Sequence, residues 1–221
     1  LPAGPLAPNG DLISFVSSRS DHTLLGRLVV IDPTSEQAID SLDVPLGEPE
    51  SIDEALRVVL SPDGRRAYFT SFHGVYDYDL MTRRLVGFVN LPNFDTDVAV
   101  SPDGSRVYVI SNPTPRIHTL ISARDRNASD SALTSTPIRV FDASLVEQPS
   151  IPFADRRAQQ NRPTILHRIV VSRDNAWLYA TAGNGFREGK TRVLIINVST
   201  GRIARVIPLG VTGGLTLLVG R

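Results

Sequence analysis

Residues 58–71 read VVLSPDGRRAYFTS, residues 98–111 read VAVSPDGSRVYVIS, and residues 169–182 read IVVSRDNAWLYATA. Each stretch is a short apolar run, a turn of the Ser-Pro-Asp-Gly type, and a second run rich in β-branched and aromatic residues. Proline presets φ at the first turn position, aspartate can bond the backbone just beyond it, and glycine accepts the positive φ that closes the turn. The pattern predicts a β-hairpin, and its recurrence predicts a repeat protein. A weaker copy at residues 7–16 opens the chain.

A second pair of strands is predicted after each hairpin. The third strands and their turns lie at residues 28–34, 75–82, 138–144 and 193–201, and the fourth strands at Ala38–Val44, Leu85–Leu91 and Ile203–Leu209, with Ser150–Phe153 as the best candidate after Asp142. Since no segment of ten or more residues has a convincing helical period free of turn signals, the class is all-β. Four-stranded antiparallel units that repeat at roughly 40 residues are typical of β-propeller blades.

These motifs resemble a known repeat. An apolar strand, Ser-Pro-Asp-Gly, a strand containing Tyr-Val, then Val-Ile-Asp and Thr-Gly are similar to the YVTN-type β-propeller repeat, which is related to lactonase-like propellers. The resemblance is clearest over Val58–Leu91 and Val98–Ser111. It implies propellers of about seven blades, and relatives that include surface-layer and secreted bacterial proteins, lactonases and cofactor-bearing oxidoreductases. It also implies an extracellular, periplasmic or cell-surface location.

The expected domain organisation is one β-propeller over residues 1–221. The blades are expected at about residues 3–46, 52–92, 95–154 and 164–210, with the start of a further blade at residues 211–221. Either about four blades close alone, or the chain holds part of a larger propeller of about seven blades. We expect the second arrangement, because neither terminus carries an evident closing strand.

Composition excludes several classes of function. Lysine plus arginine equals aspartate plus glutamate at 23 each, so there is no basic field that would favour a nucleic-acid partner. The absence of cysteine excludes thiolate metal sites, covalently attached c-type haem, a cysteine nucleophile and disulfides. No apolar run approaches the roughly 18 residues of a membrane span. The four histidines lack paired spacing, and no phosphate-binding, dinucleotide-binding or Gly-x-Ser-x-Gly motif is present, so no metal and no cofactor are predicted.

Strand direction places the loops on two edges. The turns within each hairpin are tight and lie on one edge, whereas the longer segments, at residues 18–24, 47–55, 112–137, 147–166 and 183–190, all lie on the other. Long loops on a rigid scaffold commonly carry binding. Arg116 and His118, in the longest insertion, are therefore ligand-binding candidates, since the planar guanidinium suits carboxylate or phosphate groups.

Three charged residues occupy one position of the repeat. Alignment places Arg57, Asp97 and Arg168 at the start of the innermost strand, with His167 one residue before Arg168. One interpretation is an ion-pair network between blades. The other is an anion or substrate pocket at the channel mouth, in which His167 and Asp97 are catalytic candidates and His167 carries a proton. Asp32, Asp77, Asp79 and Asp142 lie near the ends of third strands and are expected to bond turn amides.

Three functions remain open. The leading hypothesis is a non-enzymatic binding or structural module of a secreted or cell-envelope protein, which contacts a protein partner, an extracellular assembly or the remaining blades of its own propeller. The alternative is a lactonase-like hydrolase, or another small-molecule enzyme, with its site at the channel mouth. A third hypothesis is a segment of a cofactor-bearing oxidoreductase, which would hold its cofactor non-covalently.

Overall fold

The computed structural model describes residues 5–7, 9–20, 23–45, 57–71, 74–91, 95–112, 138–152, 165–183 and 192–209. The described residues form only β-strands and turns. The strands are β1 Leu12–Ser20, β2 Thr23–Asp32, β3 Gln37–Pro45, β4 Val58–Leu60, β5 Arg66–Ser71, β6 Gly74–Asp79, β7 Arg84–Asn90, β8 Asp95–Val100, β9 Arg106–Asn112, β10 Ile138–Asp142, β11 Glu147–Ile151, β12 Ile165–Val171, β13 Trp177–Gly183, β14 Arg192–Asn197 and β15 Ile203–Pro208.

The strands form four antiparallel sheets, each a meander in chain order. The first sheet is β1-β2-β3, the second β4-β5-β6-β7, the third β8-β9-β10-β11 and the fourth β12-β13-β14-β15. In the first sheet a short segment takes the place of an inner strand: Leu6 forms a single bridge to Leu12, and Ile13 N donates to Pro5 O at 3.0 Å. The inner strands β4, β8 and β12 contact one another in succession. This is the predicted all-β arrangement of successive propeller blades.

The Ser-Pro-Asp-Gly turns close as the sequence predicts. In the turn at residues 101–105, Ser101 Oγ donates to Asp103 Oδ1 at 2.5 Å, Ser105 N donates to the same oxygen at 3.0 Å, and Arg106 N donates to Ser101 Oγ at 2.9 Å. These bonds lower the pKa of Asp103 to about 2. Gly104 has φ +72°, and in the degenerate copy Asn175 supplies the same left-handed backbone with φ +57°. The side chains therefore lock each hairpin from within.

Alternating side chains join the sheets. Three buried apolar clusters lie between the first and second, the second and third, and the third and fourth sheets. Along β5, Ala67 and Phe69 face the first sheet, whereas Tyr68 faces the third. This is the period of two that a strand covered on both faces requires. A fully buried valine, leucine, isoleucine or phenylalanine side chain stabilises the fold by about 1.5–3 kcal/mol. The apolar contacts between sheets are therefore the main source of its stability.

A tyrosine of the second strand links neighbouring sheets. Tyr68 OH donates to Ala143 O in the third sheet at 2.8 Å, and Tyr108 OH contacts Asn175 Oδ1 in the fourth at 3.2 Å. Tyr179 holds the same register position in the fourth sheet, but no described residue accepts a hydrogen bond from its hydroxyl. The tyrosine at this position of the repeat therefore bonds the next sheet in two blades. In the fourth sheet, Tyr179 makes no such bond to a described residue.

This difference makes the two tyrosines a matched pair. Tyr68→Phe is expected to lower the free energy of unfolding by about 1 kcal/mol, because it removes one hydrogen bond of a buried tyrosine and leaves the Ala143 carbonyl with only its longer contact to Arg66. Tyr179→Phe is expected to change it by less than about 0.5 kcal/mol. Urea denaturation of both variants of this chain measures the difference, and equal losses would contradict the assignment.

Three expectations from the sequence were wrong in detail. The fourth strand after Asp142 is β11, Glu147–Ile151, and not Ser150–Phe153, so the connection that follows begins after Ile151. The segment at residues 18–24 is not a long loop, because β1 and β2 pair up to Ser20 and Thr23. Asp77 does not bond a turn: it is buried within β6, because alternation directs it between sheets.

The other carboxylates of that set do bond turn amides. Asp32 accepts from Thr34 N at 2.8 Å, Asp79 from Met81 N at 2.9 Å, and Asp142 from Ser144 N at 2.8 Å. The expected further blade at residues 211–221 lies outside the described residues. Within the part of the chain that the structure describes, there is no helix that could cross a membrane.

Candidate functional site

The inner strands bring three predicted residues together. Arg57 precedes β4, Asp97 lies in β8, and Arg168 lies in β12. Val98 pairs with Val109 in the third sheet, and Ile169 pairs with Ala180 at the equivalent position of the fourth sheet. Asp97 and Arg168 directly precede Val98 and Ile169, so they lie at the same level of the two sheets. We call Arg57, Asp97 and Arg168 the charge cluster.

The carboxylate of Asp97 is the centre of the charge cluster. Arg57 Nη1 donates to Asp97 Oδ2 at 3.1 Å, and Ile169 N donates to the same oxygen at 2.8 Å. Arg168 Nη1 lies 3.7 Å from Oδ1, too far for a hydrogen bond. The Asp97 side chain is 0% exposed, whereas those of Arg57 and Arg168 are 25% and 31% exposed. One buried carboxylate thus joins three successive sheets.

Burial controls the proton affinity of Asp97. Removal from water raises its pKa to about 6, against the opposing effects of Arg57 and Arg168, which favour the ionised form. Asp97 Oδ1 has no hydrogen-bond partner among the described residues. The carboxyl group is therefore poised to change its charge under mildly acidic conditions.

His167 occupies a different position from the one that the repeat alignment predicts. The register between β12 and β13 shifts between Leu166 and Arg168, so His167 is the extra residue of a β-bulge, whereas β8 pairs regularly with β9 at the corresponding level. Bulges re-aim side chains and are frequent beside functional sites. The half-buried His167 is adjacent in sequence to the charge cluster, and its role as a ligand-binding or catalytic residue stays a prediction.

Arg116 and His118 lie outside the described residues. Among the residues that are described, no group of three or more histidine, aspartate or glutamate side chains could hold a metal ion.

A second polar cluster escaped the sequence analysis. Asp77 pairs with Arg66, Arg66 Nη1 lies 3.5 Å from Ala143 O, and Tyr68 OH donates to the same carbonyl. Burial raises the pKa of Asp77 against the effect of Arg66. The position of Asp77 inside β6 accounts for its burial, because β6 is covered on both faces. A cleft of 330 Å³ opens beside this cluster, lined by Arg65, Arg66, Tyr68, Asp79, Asp103 and Ala143 among others.

The charge on Asp97 makes stability depend on pH. Its pKa is higher in the folded chain, at about 6, than the ordinary 3.8, so the folded state binds the proton more tightly. The resulting stabilisation is complete below the unfolded pKa and is lost as pH rises from about 4 to about 6. The free energy of unfolding of the native chain, measured relative to that of Asp97→Asn, is expected to fall by up to about 3 kcal/mol over this pH range.

Urea denaturation of both chains at pH 4, 5, 6 and 7 checks this expectation. Subtracting one chain from the other cancels the titration of the remaining carboxylates. A difference that does not change with pH would show that Asp97 titrates normally.

Comparison with known structures supports the fold. Hydrazine synthase from Kuenenia stuttgartiensis is similar with a TM-score of 0.59 and 18% sequence identity, over 93% of this chain and 48% of that one. Dihydro-heme d1 dehydrogenase NirN, solved in complex with DHE, gives a TM-score of 0.52 and 20% identity, over 95% and 47%. TolB from Acinetobacter baumannii gives 0.51 and 18%, over 93% and 42%.

The chain spans less than half the length of each of these structures. No family model matches the chain, and no curated protein matches it either. The YVTN repeat type therefore stays a prediction. At these identities the likeness concerns fold alone, and on that ground, together with its four meandering sheets, the chain is a β-propeller module.

Proposed function

We propose that this chain is a non-enzymatic binding or structural module that contacts a protein partner through the edge from which its long connections leave. The observation that carries the proposal is the charge cluster, in which Asp97 bonds Arg57 and the Ile169 amide across three sheets. The cluster lies at the starts of inner strands, so it braces the edge at which β3, β9 and β11 end. Long connections carried by a rigid frame are the usual construction of a binding face.

Site-specific photo-crosslinking tests this placement. A photoreactive residue at position 116, in the longest connection, is compared with one at position 65, an exposed site in a turn on the opposite edge. In the protein's native extract, discrete protein adducts are expected from position 116 and not from position 65. Equal labelling at the two positions, or labelling from position 65 alone, would contradict the proposed face.

We also propose that the module belongs to a larger propeller of about seven blades. The support is the face of the fourth sheet turned away from the third, where Tyr179, Ile195 and Val170 are half-buried at positions that pack between sheets elsewhere in the chain. The hydroxyl of Tyr179 on this face donates to no described residue. The occupant that continues the existing interfaces is another four-stranded blade, with an acceptor in the place that Ala143 holds for Tyr68. In the full-length protein, Tyr179→Phe would then destabilise as much as Tyr68→Phe.

A lactonase-like hydrolase is the second candidate. It is favoured by a buried carboxyl group, Asp97, with a pKa of about 6, close in the fold to the bulged His167, since such a group can act as a general base near neutral pH. The two functions differ in an assay on a panel of small lactones. A scaffold gives no turnover above background, whereas an enzyme gives turnover that His167→Ala abolishes with the melting temperature unchanged.

The proposed location is extracellular, periplasmic or at the cell surface. It rests on the resemblance to the YVTN-type repeat. Fractionation of the source cells with an antibody against the full-length protein would test it, and recovery in the cytoplasm would contradict it.

A further inference from the structure

The charge cluster contains more positive than negative charge. Two guanidinium groups lie within 4 Å of one carboxylate, so the cluster carries a net charge of +1 when Asp97 is ionised and +2 when it is protonated. Both arginine side chains are partly exposed, at 25% and 31%. Positive charge of this kind, held near a low-dielectric interior, favours an anion from solvent.

The arginines also keep unused hydrogen-bond donors. A guanidinium carries five N–H donors in a planar fork that matches the geometry of carboxylate, sulfate and phosphate. Among the described residues, Arg57 donates to Asp97 through Nη1, and Arg168 approaches Asp97 without a hydrogen bond. Since both Nη1 atoms flank the same carboxylate, a single oxyanion placed above it could contact both side chains.

We propose that Arg57 and Arg168 form a binding site for a small oxyanion, and that Asp97 is an internal competitor which yields when it is protonated. Ionised Asp97 holds Arg57 and repels a second anion. Protonated Asp97 gives up that charge, so the partly exposed guanidinium groups of Arg57 and Arg168 can turn toward the bound anion. The site therefore binds anions more tightly at mildly acidic pH, where the cluster carries +2, than at neutral pH, where ionised Asp97 reduces the charge to +1.

The groups around Asp97 define what else could titrate. Arg57 comes from the segment before β4, while His167 and Arg168 come from β12. The described neighbours on β5 and β9 at this level are Thr70 and Ile110, which do not titrate. His167 is next to Arg168 in sequence and is of a residue type whose ordinary pKa lies near neutral, so the experiment has to separate it from Asp97.

Sulfate is the appropriate probe, because its charge does not change between pH 5 and 8. Isothermal titration at constant ionic strength, set with chloride, is expected to show sulfate binding more than ten times tighter at pH 5.5 than at pH 7.5. This factor follows because a group with a pKa of about 6 changes from a few per cent to about three-quarters protonated over that range. Titration in buffers of different ionisation enthalpy is expected to show proton uptake on binding near pH 6.5. Acetate, tested in parallel, shows whether carboxylates bind as sulfate does.

Four variants assign the roles. Asp97→Asn is expected to bind sulfate at pH 7.5 as tightly as the native chain does at pH 5.5, with no remaining pH dependence. Arg168→Gln is expected to lose at least tenfold in affinity at pH 5.5. Arg139→Gln is the matched control, because Arg139 is similarly exposed at 26% and pairs with Glu147 away from the cluster. His167→Gln is expected to keep the pH dependence.

Each contrary result overturns the proposal. Affinity in the native chain that does not depend on pH would remove Asp97 as the competitor. Equal losses in Arg139→Gln and Arg168→Gln would show general charge attraction, and a pH dependence abolished by His167→Gln would assign the switch to histidine. If Asp97→Asn does not fold, proton uptake on sulfate binding still tests the proposal. Uptake must occur in both the native chain and His167→Gln, and its absence from either would contradict Asp97 as the competitor.

Discussion

Asp97→Ala is expected to lower the free energy of unfolding at pH 7 by about 3 kcal/mol, close to the lower bound for breaking a buried ion pair. The substitution removes the acceptor of the Ile169 amide and of Arg57. A buried amide left unpaired costs about 1–3 kcal/mol. The two guanidinium groups also lose the carboxylate that separates their charges. Their partial exposure keeps the loss from being larger, because water can solvate them.

Two controls identify the origin of this loss. Asp97→Asn keeps a carbonyl oxygen for the amide and removes only the charge, whose burial is itself unfavourable, so it is expected to cost far less than Asp97→Ala or to stabilise. Asp43→Ala breaks the exposed pair with Arg27 and is expected to change the free energy of unfolding far less than Asp97→Ala does, because solvent-exposed ion pairs contribute little. Chemical denaturation at pH 7 gives all three values. Equal losses in the two Asp97 variants would show that the charge, and not the acceptor, stabilises the chain.

The fold was predictable because its signals are local and repeated. The Ser-Pro-Asp-Gly turn depends on residues within five positions of one another, such as Ser101, Asp103 and Arg106. Each copy supports the others, so even the degenerate turn that ends with Asn175 was identified. The strand after Asp142 was misplaced because Glu147–Ile151 is rich in polar residues, as an outer strand exposed to solvent can be.

The candidate site was predictable only in part. Alignment of the repeats identified Arg57, Asp97 and Arg168 as equivalent, and equivalent positions on successive blades meet. It could not reveal that Asp97 is wholly buried while both arginines are partly exposed, because burial depends on how closely three sheets pack. It also missed the bulge at His167, since one inserted residue leaves the sequence pattern unchanged while it shifts the register.

The buried pair of Asp77 and Arg66 shows a different limit. Asp77 is predicted to bond a turn amide because, like Asp79, it lies near the end of a third strand, and Asp79 does bond turn amides. Alternation does not separate the two residues, because positions 77 and 79 share one face of β6. Their places along the strand do: Asp79 ends β6, whereas Asp77 lies inside it, where the strand is covered on both faces. Sequence periodicity therefore assigned the strand correctly and the role of its carboxylate wrongly.

Gly74→Ala is expected to be the most damaging single methyl addition among the described glycines, at about 3 kcal/mol or more. Gly74 opens β6 and pairs with Ser71 on one side and Asn90 on the other. Its φ is +150°, which L-residues rarely adopt, and an added Cβ would lie 1.9 Å from the Val89 carbonyl oxygen. Since that oxygen belongs to the backbone of the paired strand β7, relief requires the two strands to separate.

Gly10→Ala is the matched control for this effect. Gly10 also has a positive φ, +93°, but an added Cβ there meets nothing within 4 Å, so only the backbone strain of about 1–2 kcal/mol remains. Thermal denaturation of both variants separates the two contributions. A loss for Gly74→Ala that clearly exceeds the loss for Gly10→Ala would measure the contact with Val89. Equal losses would mean that strands β6 and β7 can shift at little cost, and would contradict the expected clash with the Val89 carbonyl.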